Sequence, residues 1–565
     1  MSVIGFLLDQ GISTHTVSHL GCDYSCYGPE FLRQTGLSYC CLNLAELAEA
    51  PPILWANSSL GYSPAAAESL EDYVQKGGIL LVSGEARGLG FLVEKPRRSG
   101  AVVSEGYINL GSEGQFPIRA ASRRTDFIGE GWGELWDEHR QATGTPAVVV
   151  RRVGKGTAAW LPVDICRCAV EYMQGRPVWA DGTPAPDGTA AIDDGILKCD
   201  DGVLTRWVDR EVVDGAPAFI VPAVDRLREM FIQTVWRLAE PFGLAVPQVW
   251  YWPQGQKAVA CLSHDSDSNE TRHAWALMEL LDRLGINSTW CIMYPGGYER
   301  SVYTALAERG HEIALHYEAF SEQPHCAWGH ADLQFQHEWL LRESGIAKIY
   351  SQKNHLTRWE GWTVFFRWLE AEGILVDQSK GPSKLGNMGF LFGTCHPWRP
   401  MDDALHQHHL FNLFEIPYLT VDMYGGTARA GLRRRLLDEA AAASGVAHFL
   451  FHPQRLDEPD MADAITDIVR YGQSRGLQWW TSERIGLWQC QRARIELRRE
   501  GDLTWSVGSP EEVAGVTLVF PPSTQIALDG RAVDAVQTVV HGLPRTVITL
   551  DLAANLRQQV SLQRV

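Results

Sequence analysis

The stretch from Ala258 to His316 constrains this chain more than any other. It opens AVACLSHDSD, passes through a helix-like segment to STWCIM, and closes ERGHEIALH. The apolar run Ala258 to Leu262 is short and turn-bounded, the pattern of a buried strand. Its end carries Asp265 and Asp267. On an extended backbone, residues i and i+2 point to the same side, so both carboxylates can enter one site while His264 and Ser266 face away. The polar loop SDSNETRH follows, and helical periodicity begins near Ala274. Strand-like runs at Ser288 to Met293 and Glu312 to Leu315 each follow a helix-like segment, and the second ends on His316. This alternation predicts parallel βα units whose polar strand ends share one rim. Acids and a histidine on such a rim suit a divalent metal plus a free base, one carboxylate ligating while the other accepts a proton from water. Singly, each has a plainer reading: two acids capping the next helix and a satisfied core histidine.

Matching pieces recur downstream in a telling order. LSHDSD, GHEIALH, KNHLTRW, GILVDQS, GFLFGTCHPW, FEIPYLTVDM and HFLFHP together resemble the polysaccharide deacetylase family, carbohydrate esterase family 4, over about residues 250–490. The resemblance implies a distorted (β/α) barrel with its site at the strand C-termini. It also implies a metal-dependent hydrolase that removes an acyl group, typically acetyl, from an amino sugar. HDSD then places Asp265 as the catalytic base and Asp267 as a metal ligand. LFHP places His452 as the general acid, and His316 is a second ligand of zinc or another divalent metal. The chain departs from the family at one point: a further metal histidine is expected four residues after His316, and HYEAF has Phe320 there. His355, in KNHLTRW after another strand-like run, is the preferred replacement, with His325 and His330 in the preceding loop as alternatives. Loss of the metal is a further one. Two other functions stay open, a metal-independent C–N hydrolase for small cyclic amides or ureides and a non-catalytic glycan-binding scaffold.

Aromatic residues accumulate in the same unit: Tyr294, Tyr298, Trp328, Trp359, Trp362 and Trp398. With 21 tryptophans in the chain, a glycan-lined cleft is the expectation, against ordinary packing. Trp359, Trp398, Asn354 and Arg358 are the substrate-binding candidates. The run HQHHL offers His406, His408 and His409 as metal ligands or as an exposed loop.

A chain of 565 residues implies several domains, here 1–245, 246–490 and 491–565. In the first, Val3–Leu8, Tyr39–Leu42, Ile53–Ala56 and Ile79–Val82 read as parallel strands. SPAAAESLEDYVQKGG reads as a helix with a serine N-cap and a glycine stop. GKGTAAWLPVDI reads as a late strand pair and RLREMFIQTVWRLAEPFG as a closing helix. This unit resembles the flavodoxin-like, class I glutamine amidotransferase-type domain found within some β-galactosidases, which makes self-association into a homo-oligomer an expectation. The turn that holds the amidotransferase cysteine reads SGEARG, offering at most Ser83 or Glu85 and no histidine partner motif, so the domain is expected to be non-catalytic. Asp181 to Gly215, rich in Gly, Pro and Asp, reads as a surface excursion, reaching in one reading over a neighbour's active site. Residues 491–565 alternate in the manner of a small antiparallel β-sandwich, with packing its expected role.

Charge and cysteine usage narrow the setting. A net charge of −18 disfavours phosphate backbones and anionic membranes, so no nucleic-acid partner is expected. No apolar run is long enough for a membrane span. MSVIGFLLDQG reads as a first strand rather than a secretion signal. The 12 cysteines include none at CxxC spacing, and many sit in apolar runs, which favours reduced thiols and a cytoplasmic setting. A zinc site at Cys22 and Cys26 is the alternative for that pair.

Overall fold

A computed structural model of the protein describes residues 1–9, 24–93, 102–122, 127–182, 187–189, 195–402, 409–423, 425–522 and 524–564. Cys22, His406 and His408 lie outside the described residues. The catalytic candidates belong to a curled sheet in which every strand pair is parallel. Its order is Phe414–Glu415, Val376–Asp377, Ser351–Asn354, Glu312–Tyr317, Thr289–Met293, Val259–Asp265, Val446–Phe451 and Thr420–Val421. The two ends of that order are consecutive in sequence, joined only by residues 416–419. So short a link spans at most about 3.5 Å per residue, so the edges must approach and the sheet must curl.

Parallel strands need crossovers, and the helices that supply them bury one face against the sheet. Thr271–Leu284 buries Ala274, Leu277, Met278, Leu281 and Leu284, then stops at Gly285 in the left-handed conformation. The strands Val259–Asp265, Glu312–Tyr317, Ser351–Asn354 and Val446–Phe451 are buried along their whole length. The interior of the barrel is unusually polar at Ser351–Asn354, where Ser, Gln, Lys and Asn are all buried.

The first unit contains a seven-stranded sheet. Ile4–Asp9 lies between Tyr39–Asn43 and Ile53–Ser58, followed by Ile79–Gly84 and Gly156–Leu161, all parallel. Val148–Val153 then pairs antiparallel with Gly156–Leu161. Ser63 caps the Pro64–Gln75 helix by accepting from Ala66 N, and Ala223–Ala239 is the long closing helix. A four-stranded antiparallel sheet between Val102 and Thr145 was not legible in the sequence pattern. Ser83 is fully buried and donates to Asn57 Oδ1 while accepting from Trp55 Nε1, so its hydroxyl is committed to packing. The C-terminal residues form two antiparallel sheets, one of which takes in Gln248–Val249 from the linker. No helix among the described residues is long and apolar enough to cross a membrane.

The described parts of the excursion after residue 175 hydrogen-bond to the barrel of their own chain. One apolar core runs through all three units, from Val3 to Leu562. A buried acid ties the Ala223–Ala239 helix to the barrel: Asp225 pairs with Arg228 of its own helix at 3.0 Å and also accepts from Thr394 Oγ1 and Cys395 N. Removing one partner of such a pair strands the other charge, a loss of about 3–5 kcal/mol. Asp225→Ala is therefore expected to lower unfolding free energy by that order in chemical denaturation, and a 245–565 fragment to be insoluble or aggregated. A soluble, monomeric fragment with native stability would contradict the shared core.

Candidate active site

The site stands at the C-terminal rim of the curled sheet. Its first wall is the Val259–Asp265 strand, after which Ser266 N donates to Cys291 O and Asn269 N to Ser266 O. Asn269 adopts φ 48° in that turn, a conformation its short polar side chain tolerates. The turn leaves Asp265 and Asp267 facing the same histidine: His316 Nε2 is 3.3 Å from Asp267 Oδ1 and 3.8 Å from Asp265 Oδ2. His316 ends its own strand, and its Nδ1 lies 3.0 Å from the Lys353 carbonyl. Donation there fixes the tautomer and leaves Nε2 with a lone pair directed at the carboxylates.

His355 enters from the next strand. Its Nδ1 hydrogen-bonds to Glu318 and its Nε2 lies 4.0 Å from Asp267 Oδ2. Asp267, His316 and His355 each present one ligand atom, all within 4.8 Å of one another, and no other group of three such side chains is found among the described residues. The donor set suits a divalent metal. His316 Nε2 and Asp267 Oδ1 are buried without a hydrogen-bond partner, a cost that an ion at this point removes. An imidazole whose far nitrogen is held by a carboxylate or carbonyl is also the usual geometry of a metal-bound histidine. His325 and His330 are turned elsewhere, His325 stacking on Phe335 and His330 pairing with Glu372 at 2.8 Å. His409 is likewise paired, with Glu370 at 2.8 Å.

Sequence reasoning missed three residues that hold this cluster. Glu318 lies in the same HYEAF segment whose Phe320 replaces the expected histidine. Phe320 itself is 53% exposed, so the segment contributes an acceptor for His355 rather than a ligand. Lys353 has a fully buried side chain, with Nζ 3.1 Å from Asp265 Oδ1 and 2.7 Å from Ser263 Oγ. Ser263 in turn meets His448 Nε2 at 2.9 Å. Lys353 therefore steadies Asp265 with its side chain and His316 with its carbonyl. Asp422, left-handed at φ 53°, accepts from both the backbone N and Nδ1 of His452.

Electrostatics separate the roles these groups can play. Burial alone would raise the Asp265 carboxyl, but the Lys353 ammonium, then His316 and His452, hold it below the usual range. Burial is likewise outweighed at Asp267, which the His316 imidazole first, then His452 and His355, hold below the usual carboxylate range. His452 goes the other way. Desolvation opposes its charge, yet the Asp422 hydrogen bond and the charges of Asp422, Asp267 and Asp265 push it up to about 9. Its Nε2 lies 3.5 Å from Asp267 Oδ2, on the open side of the cluster. The site thus offers an ionised carboxylate on one flank and a cationic imidazole on the other.

The proposed substrate-binding residues fare differently. Trp359 and Trp398 are buried at 1% and 0% exposure, packed on Phe366. Neither offers a ring face to a sugar, which corrects that expectation. Tyr298 and Trp362 are also buried. Asn354 is buried and donates to the Arg358 carbonyl, and Arg358 pairs with Glu360 at 2.6 Å above the Trp328 ring.

No protein-family model matches the chain, and no curated protein matches it. Among solved structures, a polysaccharide deacetylase from Mycobacterium smegmatis is similar at 16% identity, over 43% of this chain and 93% of that one, with a TM-score of 0.32. An allantoinase is similar at 14% identity over 42% and 91% of the two chains, TM-score 0.30. A catalytic mutant of a GH42 β-galactosidase from G. stearothermophilus is similar at 13% identity over 29% and 27%, TM-score 0.23. At these identities and scores the likenesses do not identify the chain.

His452 gives a direct check on the electrostatics. In the metal-free protein its imidazole should titrate near 9 by NMR, and Asp422→Asn should return it toward its ordinary value of about 6.5. Because the folded-state pKa is raised, the contribution to stability is full below about 6.5 and is lost as pH rises through 9. A His452 that titrates near 6.5 in the wild type would show that Asp422 does not hold its charge.

Proposed function

We propose that the protein is a divalent-metal-dependent hydrolase, with zinc the favoured ion, that removes an N-acyl group, acetyl foremost, from an amino sugar or glycan. The observation that carries this reading is the convergence of Asp267, His316 and His355 within 4.8 Å, flanked by Asp265 on one side and His452 on the other. The sequence resemblance to the deacetylase family supplies the substrate class.

Asp267, His316 and His355 would hold the ion, whose chemistry when bound is to polarise the acyl carbonyl and to lower the pKa of a water to about 7. Asp265 accepts the proton of the attacking water. It stays competent as a base because Lys353 occupies its Oδ1, leaving Oδ2 facing the cluster. His452 enters the reaction protonated and gives that proton to the departing nitrogen as the acyl C–N bond breaks, so an amine rather than an amide anion leaves. Asp422 anchors the ring so that Nε2 faces the site. Glu318 and the Lys353 carbonyl fix the two ligand imidazoles. The first domain is, on this reading, without its own chemistry and serves docking, self-association included.

Metal content and kinetics test the assignment together. Asp267→Ala and His355→Ala should each lose most of the metal, measured by elemental analysis, while His330→Ala keeps it. Asp265→Asn should keep the metal and lose activity by about 10²–10⁴-fold. His452→Ala should show a similar loss on amides and a much smaller one on activated aryl acetates, whose leaving group needs no proton. Stoichiometric metal in His355→Ala, or equal losses of His452→Ala on both substrate types, would overturn the respective role.

A further inference from the structure

We propose that the excursion of the first domain, through its described parts 175–182 and 195–202, is the positioning element for His355, so that the hydrolytic site is completed by a segment outside the barrel. The inference rests on the reading of His355 as a ligand.

The loop that carries His355 does not hold its own shape. Leu356 and Thr357 are both left-handed, at φ 55° and 54°. That conformation is rare outside glycine and a genuine outlier for a β-branched residue. Such backbone persists only where the surroundings over-determine it. Thr357 Oγ1 is buried without a hydrogen-bond partner, so its own side chain supplies no compensation.

The surroundings that do so come from the first domain. Arg358 to Gly361 is bridged by two segments of the excursion. Val178 N donates to Gly361 O and Gly361 N to Val178 O, each at 2.9 Å, and Trp359 N donates to Leu197 O at 2.9 Å. Lys198 and Arg358 form an antiparallel bridge, and Trp362 Nε1 donates to the Gly175 carbonyl. Gly361, at φ 74°, sits so close to Trp179 that an added Cβ would lie 3.2 Å from the ring. The excursion is pinned at its other side to the barrel wall after Asp377. Cys199 Sγ meets Ser379 O, and Asp200 accepts from Ser383 N, Ser383 Oγ and Asn387 Nδ2. Asp201 closes the excursion on itself by accepting from Gly182 N and Lys198 N. On the barrel side, Asn354 Nδ2 holds the Arg358 carbonyl at 2.9 Å. The chain is therefore gripped directly after its two strained residues, by the excursion and by Asn354, while Glu318 holds the His355 ring before them.

The test uses the full chain. Val178→Pro removes one donor of the clamp without touching a ligand, and Asp201→Ala loosens the excursion by a second route. Each is expected to raise the zinc Kd about 10-fold or more, read by chelator competition, the usual scale for losing an outer-shell support. Amide exchange at Trp359 and Gly361 should quicken in both. Adding Thr357→Gly should restore most of the zinc affinity, because glycine takes positive φ without steric strain, while exchange stays fast. A merely structural role predicts no such rescue. Wild-type zinc affinity in both single variants, or a loss that Thr357→Gly fails to recover, overturns the proposal. Absence of zinc from the wild type would overturn the metal reading instead. The clamp is then judged on the metal-free protein by the ring nitrogen shifts of His355, whose hydrogen bond to Glu318 must weaken in Val178→Pro and return with Thr357→Gly.

Discussion

Two carboxylates one residue apart on a buried strand end cannot both stay ionised unless cations surround them, and much of this site follows from that constraint. Asp265 is 5% exposed and Asp267 28% exposed. Two like unit charges about 4 Å apart repel by about 4 kcal/mol at an effective dielectric of 20. The protein resolves the conflict by dividing the acids between partners. Lys353, from inside the barrel, takes Asp265. Three imidazoles from three further strand ends take Asp267. An ion at the Asp267 cluster would complete that neutralisation, and the division leaves Asp265 as the carboxylate with an oxygen to spare.

Each imidazole is itself fixed from behind. Glu318 holds His355, the Lys353 carbonyl holds His316, and Asp422 holds His452. The polar layer continues inward through Ser263 and His448, whose burial pushes its imidazole down to about 3 and keeps it neutral. A barrel interior of this kind is costly unless satisfied throughout. Several of its members are hydrogen-bonded in chains, Ser351 to Glu312, Gln352 to Asp377 and Ser379 to Asp377, while Gln352 Oε1 and Asn354 Oδ1 are buried without a partner.

The positions that converge were readable because they follow a rule of topology: polar residues just after buried parallel strands share a rim. Asp265, Asp267, His316, His355 and His452 all satisfy it. The supporting residues obey no such rule. Lys353 sits within SQKN, a buried strand with no apolar residue, which neither hydrophobic periodicity nor strand propensity would place in a core. Asp422 depends on a left-handed turn, and Glu318 on a loop closing back toward a different strand. Residue type marks Trp359 and Trp398 as candidates to face a ligand but says nothing about their exposure. The excursion after residue 175 has the composition of a surface loop, yet its backbone hydrogen bonds lie along the His355 loop of its own barrel. Contacts of such sequence separation leave no local signature.

The central claim is that Asp267, His316 and His355 form one metal site. X-ray absorption at the zinc edge of the purified, zinc-loaded chain tests it most directly. The account predicts one zinc per chain whose nearest shell holds two imidazole nitrogens and carboxylate oxygen, with no sulfur. A protein that takes up no zinc, or one whose zinc shell contains cysteine sulfur or a single imidazole, would contradict it.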